Sequence, residues 1–407
     1  MSELQSVDAA LARLLAAVSP LTDTEAVSTF DALGRVLAVD VSSALDVPPA
    51  DNTGMDGYAL CAADVAALGT VLPVAQRVPA GVVGAAHRPG TATRIFTGAQ
   101  IPVGADAVVM QEQCTAIANP AGEGFGAVQI NTAVQPGQWI RRRGEDVQRG
   151  AVVLAAGARL SAPALGLAAS VGAGSVTVTR RPKVALFSTG DELQMPGEVL
   201  RPGAIYNSNR FLLRGLLQGL GCEVIDLGIV EDKLAATRAA LRSAAGQADL
   251  ILTCGGVSVG EEDHLRPAVE AEGRLDLWQI AIKPGKPLAF GKVQDAWFIG
   301  LPGNPVSSLV TFLMLVRPVL LRLQGATALT PRRFNLRADF DWKKPDRRRE
   351  FLRARINAAG ALELFPNQGS GVLTSAVWCD GLVDNPAGQA IAAGDTVDFI
   401  PMNELLT

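Results

Sequence analysis

The chain has 407 residues, 48% of them hydrophobic, 19% charged and only 5% aromatic, with a formal net charge of −4. At roughly 100–200 residues per domain this predicts two to four domains with cores rich in Ala, Val and Leu, and it excludes a disordered chain. A slightly acidic balance offers no basic field for counterion release, so no nucleic-acid partner is expected.

The first residues carry acidic side chains where a signal peptide would be basic, so no export is expected. The most apolar window, Leu309 to Val316, is broken by Thr311 and bounded by Arg317 and Pro318. That is far short of the roughly 20 residues needed to span a bilayer, so a cytoplasmic protein without a membrane partner is expected. Five cysteines with no Cys-x-x-Cys pair suggest free thiols rather than a disulfide framework or a zinc site.

Leu4, Val7, Leu11, Leu14, Leu15 and Val18 share one helical face, and Pro20 ends that helix. From about Leu45 short apolar runs are cut by Gly and Pro, which predicts small strands and turns up to about Gly150. Ala162 to Ala173 is again helical in pattern, so residues 1–44 and 152–179 are expected to form one helical domain interrupted by a β-rich insertion, 45–151. Between 180 and 326, apolar strands alternate with amphipathic helices, which predicts a doubly wound α/β domain on a parallel sheet. The remainder, 327–407, has short alternating strands and is expected to be a small β domain.

In doubly wound sheets, ligands bind beyond the carboxyl ends of the strands. Here those ends run into Ser188–Glu192, Glu231-Asp232, the loop Gly255-Gly256-Val257-Ser258-Val259-Gly260 followed by Asp263, and Gly300-Leu301-Pro302-Gly303-Asn304-Pro305. Asn304 at an N-cap with Pro305 at the first helical position reads either as a capped helix or as an anion site; the neighbouring glycine loop favours phosphate. Lys283-Pro284-Gly285-Lys286-Pro287 presents two ammonium groups on a proline-bounded turn, suited to an oxyanion. Acids beside such a site would repel the ligand unless a hard cation lay between them, and magnesium suits oxygen ligands and phosphate. With only His87 and His264 in the chain, a His-based zinc centre or a Ser-His-Asp triad is not expected.

Taken in order, DNTGMDGYAL, RIFTGAQIP, VVMQEQ, IRRRGEDV, VALFSTGDEL, GGVSVGEEDH, IKPGKP and GLPGNP resemble the molybdopterin molybdenumtransferases, called MoeA in bacteria and present as the C-terminal domain of gephyrin. The resemblance runs over essentially the whole chain. It implies a homodimer with a helical, an inserted β, an α/β molybdopterin-binding and a C-terminal β domain. It also implies that molybdate is inserted into adenylated molybdopterin with release of AMP, in a magnesium-dependent reaction. Carried over residue by residue, Asp56, Thr97, Asp146, Glu192, Asp232 and Asp263 would be catalytic, with Glu192 and Asp232 holding the metal or an activated water. Gly255, Gly256, Ser258, Lys283, Lys286, Pro302, Asn304, Pro305, Arg353 and Ser370 would bind substrate.

The chain departs from its relatives at Gln279, where they often carry a basic residue, and at Cys254, which replaces a small hydroxyl residue. The resemblance further implies a molybdopterin adenylyltransferase as upstream donor and molybdoenzymes or their chaperones as recipients. Competing readings are a catalytically silent gephyrin-like scaffold, and a generic nucleotide-binding phosphatase or nucleotidyltransferase.

Overall fold

The computed structural model describes residues 4–120, 122, 124–256 and 264–406. Four separate groups of elements follow from the chain's apolar patterning.

The largest is a six-stranded sheet in the order Glu223–Val230, Lys183–Thr189, Leu250–Cys254, Ala296–Leu301, Pro287–Val293, Gly273–Gln279. The first four strands are parallel, as near-continuous apolar runs buried on both faces predict. The last two are not as predicted: Pro287–Val293 runs antiparallel to both its neighbours, so the sheet is mixed. A tight connection between Val293 and Ala296 turns the chain back on itself. Gln294 takes φ 52° there, a left-handed conformation with no glycine to announce it.

Helices cover both faces. Leu234–Ala245 and Leu265–Glu272 pack on one side around Phe187, Leu241, Ile251 and Phe298. Ser208–Gly219 and the helix from Pro305 pack on the other. The N-terminal helix Val7–Ala17 joins this second face through Val7, Ala10 and Leu14 rather than forming part of a separate helical domain. Its apolar spacing was legible; its docking partner was not.

The helix from Pro305 does not stop at Arg317 and Pro318. It continues to Leu323, 19 residues with mean hydropathy 1.7, and 94% of its apolar window is buried. Among the described residues it is the one helix long and apolar enough to cross a membrane, and here it is the central core helix. A π-turn over Phe312–Val316 lets the helix run through Pro318, because a widened turn relieves the missing N–H and the ring clash.

The two separated pieces of the first region do meet. Thr24–Ser28 pairs antiparallel with Ser175–Thr179 and Val41–Ser42 with Val152–Leu154, while Ala162–Ser170 supplies one helix. Strand pairs, favoured by the β-branched alternation in SVTVT, thus share with one helix the region read as helical. The inserted segment forms its own six-stranded sheet with its own core. The C-terminal sheet orders Ile282–Lys283, Arg349–Ile356, Gly381–Asn385, Thr396–Pro401 and Phe334–Arg337. Its first strand is borrowed from the α/β region: Ile282 and Lys283 pair in parallel with Arg349 and Glu350.

The passage from the first region into the α/β sheet is held by Arg180. It donates through Nη1 and Nη2 to Asp249 at 2.7 and 2.8 Å and through Nε to Asp23 at 3.0 Å. Burial works to raise the Asp249 pKa, but the Arg180 guanidinium and the Lys183 N–H outweigh it and hold the carboxyl below its ordinary value. A depressed folded-state pKa contributes stability above the unfolded value and loses it as pH falls through the folded one. Acid unfolding of the wild type should therefore steepen as pH drops below about 4. Asp249→Asn should lower stability at neutral pH and flatten that acid limb, as read by urea unfolding at several pH values; an unchanged acid limb would show that the bridge is energetically silent.

Candidate active site

The strand ends of the α/β sheet open into a cleft of about 770 Å³. Most of the sequence-derived site residues meet there. Glu192, Asp232, Gly255, Gly256, Lys283, Lys286, Pro302, Asn304, Pro305 and Ser370 all line it. Ser258 and Asp263 lie outside the described residues.

Glycine is required at two of these positions. Gly255 takes φ +94°, and a Cβ there would sit 2.8 Å from the Thr189 carbonyl oxygen, so only glycine lets neighbouring strand ends close on one another. Gly285, at φ +100°, lies so close to the core helix that a Cβ would meet Thr311 Oγ1 at 2.6 Å. The lysine turn therefore rests directly on the first turns of that helix.

The helix start differs from the expected open anion site. Asn304 occupies the N-cap, but its side chain makes no cap hydrogen bond and lines the cleft instead. Pro305 has no N–H, the Val306 N–H donates to the Ser370 carbonyl at 2.9 Å, and the Ser308 N–H donates to the Asn304 carbonyl at 2.9 Å. The turn from the C-terminal region thus caps the helix, and among the described residues Ser307 alone in that turn keeps an unengaged N–H.

The two lysines also differ. Lys283 donates to Glu350 Oε1 at 3.0 Å and lies 3.5 Å from Asp346 Oδ2, so its charge is already matched. Lys286 is exposed and forms no ion pair among the described residues, which makes it the available ammonium of the turn.

Arg353 is a correction. Its side chain is 1% exposed and does not line the cleft. The guanidinium donates to Ser375 Oγ at 3.1 Å and to the carbonyls of Phe351 and Gly369, both at 3.2 Å. Burial without a carboxylate partner lowers its pKa to about 10. Its effect on the cleft runs through the Gln368–Ser370 turn that it holds. The arginine that does line the cleft is Arg348, paired to Asp346 through Nε and Nη2 at 2.9 Å each. Arg348 stands in the bend just before the Arg349–Ile356 strand that carries Arg353, and the basic run around them gives the sequence no means of choosing between the two.

Sequence reasoning named Ser188 at a strand end but missed Asn207 and Asn209, which join it in a neutral polar floor. Ser188, Asn207, Asn209 and Cys254 are buried and line the cleft. Asn209 Nδ2 donates to the Gly303 carbonyl at 2.6 Å and to Cys254 Sγ at 2.9 Å, tying three strand-end loops together. Cys254 is thus part of the hydrogen-bonded floor, and burial pushes its thiol pKa up. Ser188 Oγ, Asn207 Nδ2 and Asn209 Oδ1 are buried with no hydrogen-bond partner, which a ligand with its own donors and acceptors would satisfy.

Asp56, Thr97 and Asp146 do not reach this cleft; they lie in the inserted sheet and its flanking turns. There the structure joins motifs far apart in sequence. Asn52–Thr53 pairs with Ile140–Arg141, and the Gly98 N–H donates to the Thr53 carbonyl at 2.9 Å. Asp56 Oδ1 accepts from the Thr97 N–H at 2.8 Å and the Thr97 hydroxyl at 2.7 Å, and these bonds hold its pKa below the ordinary carboxylate value. Arg142 and Arg143 are engaged with Asp51 and Asp46 at 2.7 and 2.6 Å.

A doubly wound α/β region with a glycine-lined, lysine-bearing cleft at its strand ends, rimmed by a second sheet, defines a protein that binds an anionic small molecule. The comparisons agree and go further. Residues 5–172 match the MoeA N-terminal region (domain I and II), 185–322 a probable molybdopterin binding domain, and 335–402 the MoeA C-terminal region (domain IV). The chain is 42% identical to the molybdopterin molybdenumtransferase of Haemophilus influenzae over 98% of this chain and 99% of that one. It is 35% identical to molybdopterin molybdenumtransferase 2 of Mycobacterium tuberculosis over 97% and 98%. The solved molybdopterin biosynthesis MoeA protein of Pyrococcus horikoshii OT3 superposes with a TM-score of 0.83 at 29% identity, covering 98% of this chain and all of that one. This chain belongs to the MoeA family of molybdopterin molybdenumtransferases.

Because Arg353 anchors the 368–370 turn from inside the C-terminal core, Arg353→Ala should cost on the order of 2–4 kcal/mol in urea unfolding, through lost packing and orphaned carbonyls. Lys286→Ala, at an exposed position, should stay within about 0.5 kcal/mol of wild type. Equal stabilities would return Arg353 to a ligand-binding role.

Proposed function

We propose that this enzyme inserts molybdate into adenylated molybdopterin, releasing AMP. The observation that carries the reading is the cleft itself, whose lining brings Lys286 and Ser307 together with two carboxylates, Glu192 and Asp232, and with Gly255, Gly256 and Gly303. A phosphoanhydride and an oxyanion both need fixed positive charge, and the buried polar atoms left without a partner, Ser188 Oγ, Asn207 Nδ2 and Asn209 Oδ1, suit the neutral edge of a pterin.

Glu192 and Asp232 fit magnesium. Among the described residues no group of three or more His, Cys, Asp or Glu is arranged as a metal cage, and magnesium is commonly bound through one or two carboxylates with phosphate oxygens and water completing its shell. Bound there, it would neutralise the phosphoanhydride and polarise phosphorus. Cleavage then needs an oxygen nucleophile to form a bond to phosphorus while the bridging P–O bond breaks and its electrons leave with AMP. In this reading Glu192 and Asp232 hold either the metal or the activated nucleophile, whose proton a cleft carboxylate takes, and Lys286 holds the departing charge. A silent scaffold would have no use for the intact carboxylates lining the cleft.

We further propose a cytoplasmic homodimer whose active site is shared, with Asp56, Thr97 and Asp146 completing the cleft of the partner chain. Their distance from the cleft within one chain supports this, as does an exposed apolar groove beside Leu165, Gly166, Ala169 and Gly172 on which Phe30 stands 92% exposed. Separate hydrophobic cores support 45–151 as its own unit and the joining of residues near 32–41 with 147–178, whereas the Val7–Ala17 helix shares the core of 180–326. We propose that a molybdopterin adenylyltransferase supplies the substrate and that molybdoenzymes or their chaperones receive the product.

Incubation with adenylated molybdopterin, magnesium and molybdate should give molybdate-dependent AMP release, and its absence would remove the assignment. Glu192→Gln should keep the wild-type melting temperature and lose most of that turnover. Each of Asp56→Asn and Glu192→Gln should be inactive alone. Mixed into heterodimers, they should regain activity, because one cleft then carries both defects and the other neither. A silent mixture with tagged heterodimers present would confine the site to one chain.

A further inference from the structure

Three cations stand at the lysine end of the cleft, and two of them already carry counter-ions. Lys283 donates to Glu350 Oε1 at 3.0 Å and lies 3.5 Å from Asp346 Oδ2; Arg348 grips Asp346 through two bonds of 2.9 Å. Two positive charges are thereby balanced by two negative ones.

The two acids are held differently. Glu350 is 0% exposed and also accepts from Trp342 Nε1 at 2.8 Å, the Asp346 N–H at 3.2 Å and Asn385 Nδ2 at 3.4 Å. Strand pairing sets it directly opposite Lys283. It cannot turn away without abandoning four donors in a dry interior. Asp346 has a side chain 20% exposed and stands in a loop before the strand, where it can yield.

We infer that Glu350 and Asp346 are the cleft's built-in counter-ions, positioning Lys283 and Arg348 and setting how strongly an oxyanion must bind to engage them. The inference rests on the reading of the cleft as an oxyanion site. An uncompensated pair of cations would capture any small anion. With Asp346 already bridging them, an entering anion must offer enough contacts to replace it, which favours a multiply charged ligand over a simple one. Glu350 keeps the Lys283 ammonium in place during that exchange. A purely structural role, joining the C-terminal sheet to the lysine turn, makes the opposite statement: removing an acid would lower stability and leave anion affinity unchanged or weaker.

The experiment is calorimetric titration of inorganic molybdate into wild type, Asp346→Asn, Glu350→Gln and Lys286→Ala, with melting curves in parallel. Asp346→Asn should bind molybdate about three- to tenfold more tightly, a modest gain because the pair is partly solvated. Glu350→Gln should also bind more tightly, and Lys286→Ala more weakly. Nitrate, a singly charged oxyanion, should compete with molybdate better in Asp346→Asn than in wild type. A folded Asp346→Asn that binds molybdate no more tightly than wild type overturns the inference while leaving the oxyanion site standing. If Glu350→Gln fails to fold, Asp346→Asn decides alone. Molybdate binding in wild type that Lys286→Ala does not alter, or no binding at all, removes the oxyanion reading and the inference with it.

Discussion

Two residues, Ile282 and Lys283, lie in the α/β region by sequence and in the C-terminal sheet by hydrogen bonding, and the cleft depends on that pairing. Once they are held in parallel against Arg349 and Glu350, the turn that follows must pass over the core helix, and Gly285 is the residue that lets it do so. The same C-terminal sheet reaches back a second time. Its 368–370 turn supplies the Ser370 carbonyl that caps Val306, and Arg353 secures that turn from below through Gly369. Floor and rim are thus two domains made into one surface by a strand of two residues and a helix cap.

This explains how the charges in the cleft divide. A proline-bounded turn with two lysines looks symmetrical, yet one end belongs to a sheet and the other to solvent. Lys283, at the sheet end, is matched by a carboxylate it cannot leave, whereas Lys286, past the glycine, has no such neighbour among the described residues. Identical side chains three residues apart therefore have different chemistry, decided by strand pairing rather than by composition.

Much of this was legible in the chain. Apolar runs alternating with amphipathic segments marked the α/β sheet, because burial on both faces demands them, and the strand-end loops rich in Gly and Pro marked where a ligand would sit. What could not be read is equally physical. The antiparallel strand Pro287–Val293 was hidden because its turn uses Gln294 in a left-handed conformation without glycine. The core helix seemed to end at Pro318 because local rules do not foresee a π-turn. Arg353 and Arg348 were indistinguishable until the start of the Arg349–Ile356 strand was known. Asn207 and Asn209 carry no motif; only a buried amide atom without a partner on each singles them out.

The inserted domain shows the limit from another side. Its motifs converge: Thr53 pairs with Ile140, Gly98 bonds to Thr53, and Asp56 is oriented by two donors from Thr97. Such convergence of distant segments on one carboxylate is costly to build and has no evident role in the packing of that sheet, whose cores lie around Leu60, Val109 and Ile130 and around Ile95 and Val108. A carboxylate held ionised by two hydrogen bonds at an exposed corner is arranged for something outside its own domain. The cleft of the same chain does not include it, which is the observation behind the shared site proposed above; a two-fold dimer would supply two such encounters at once.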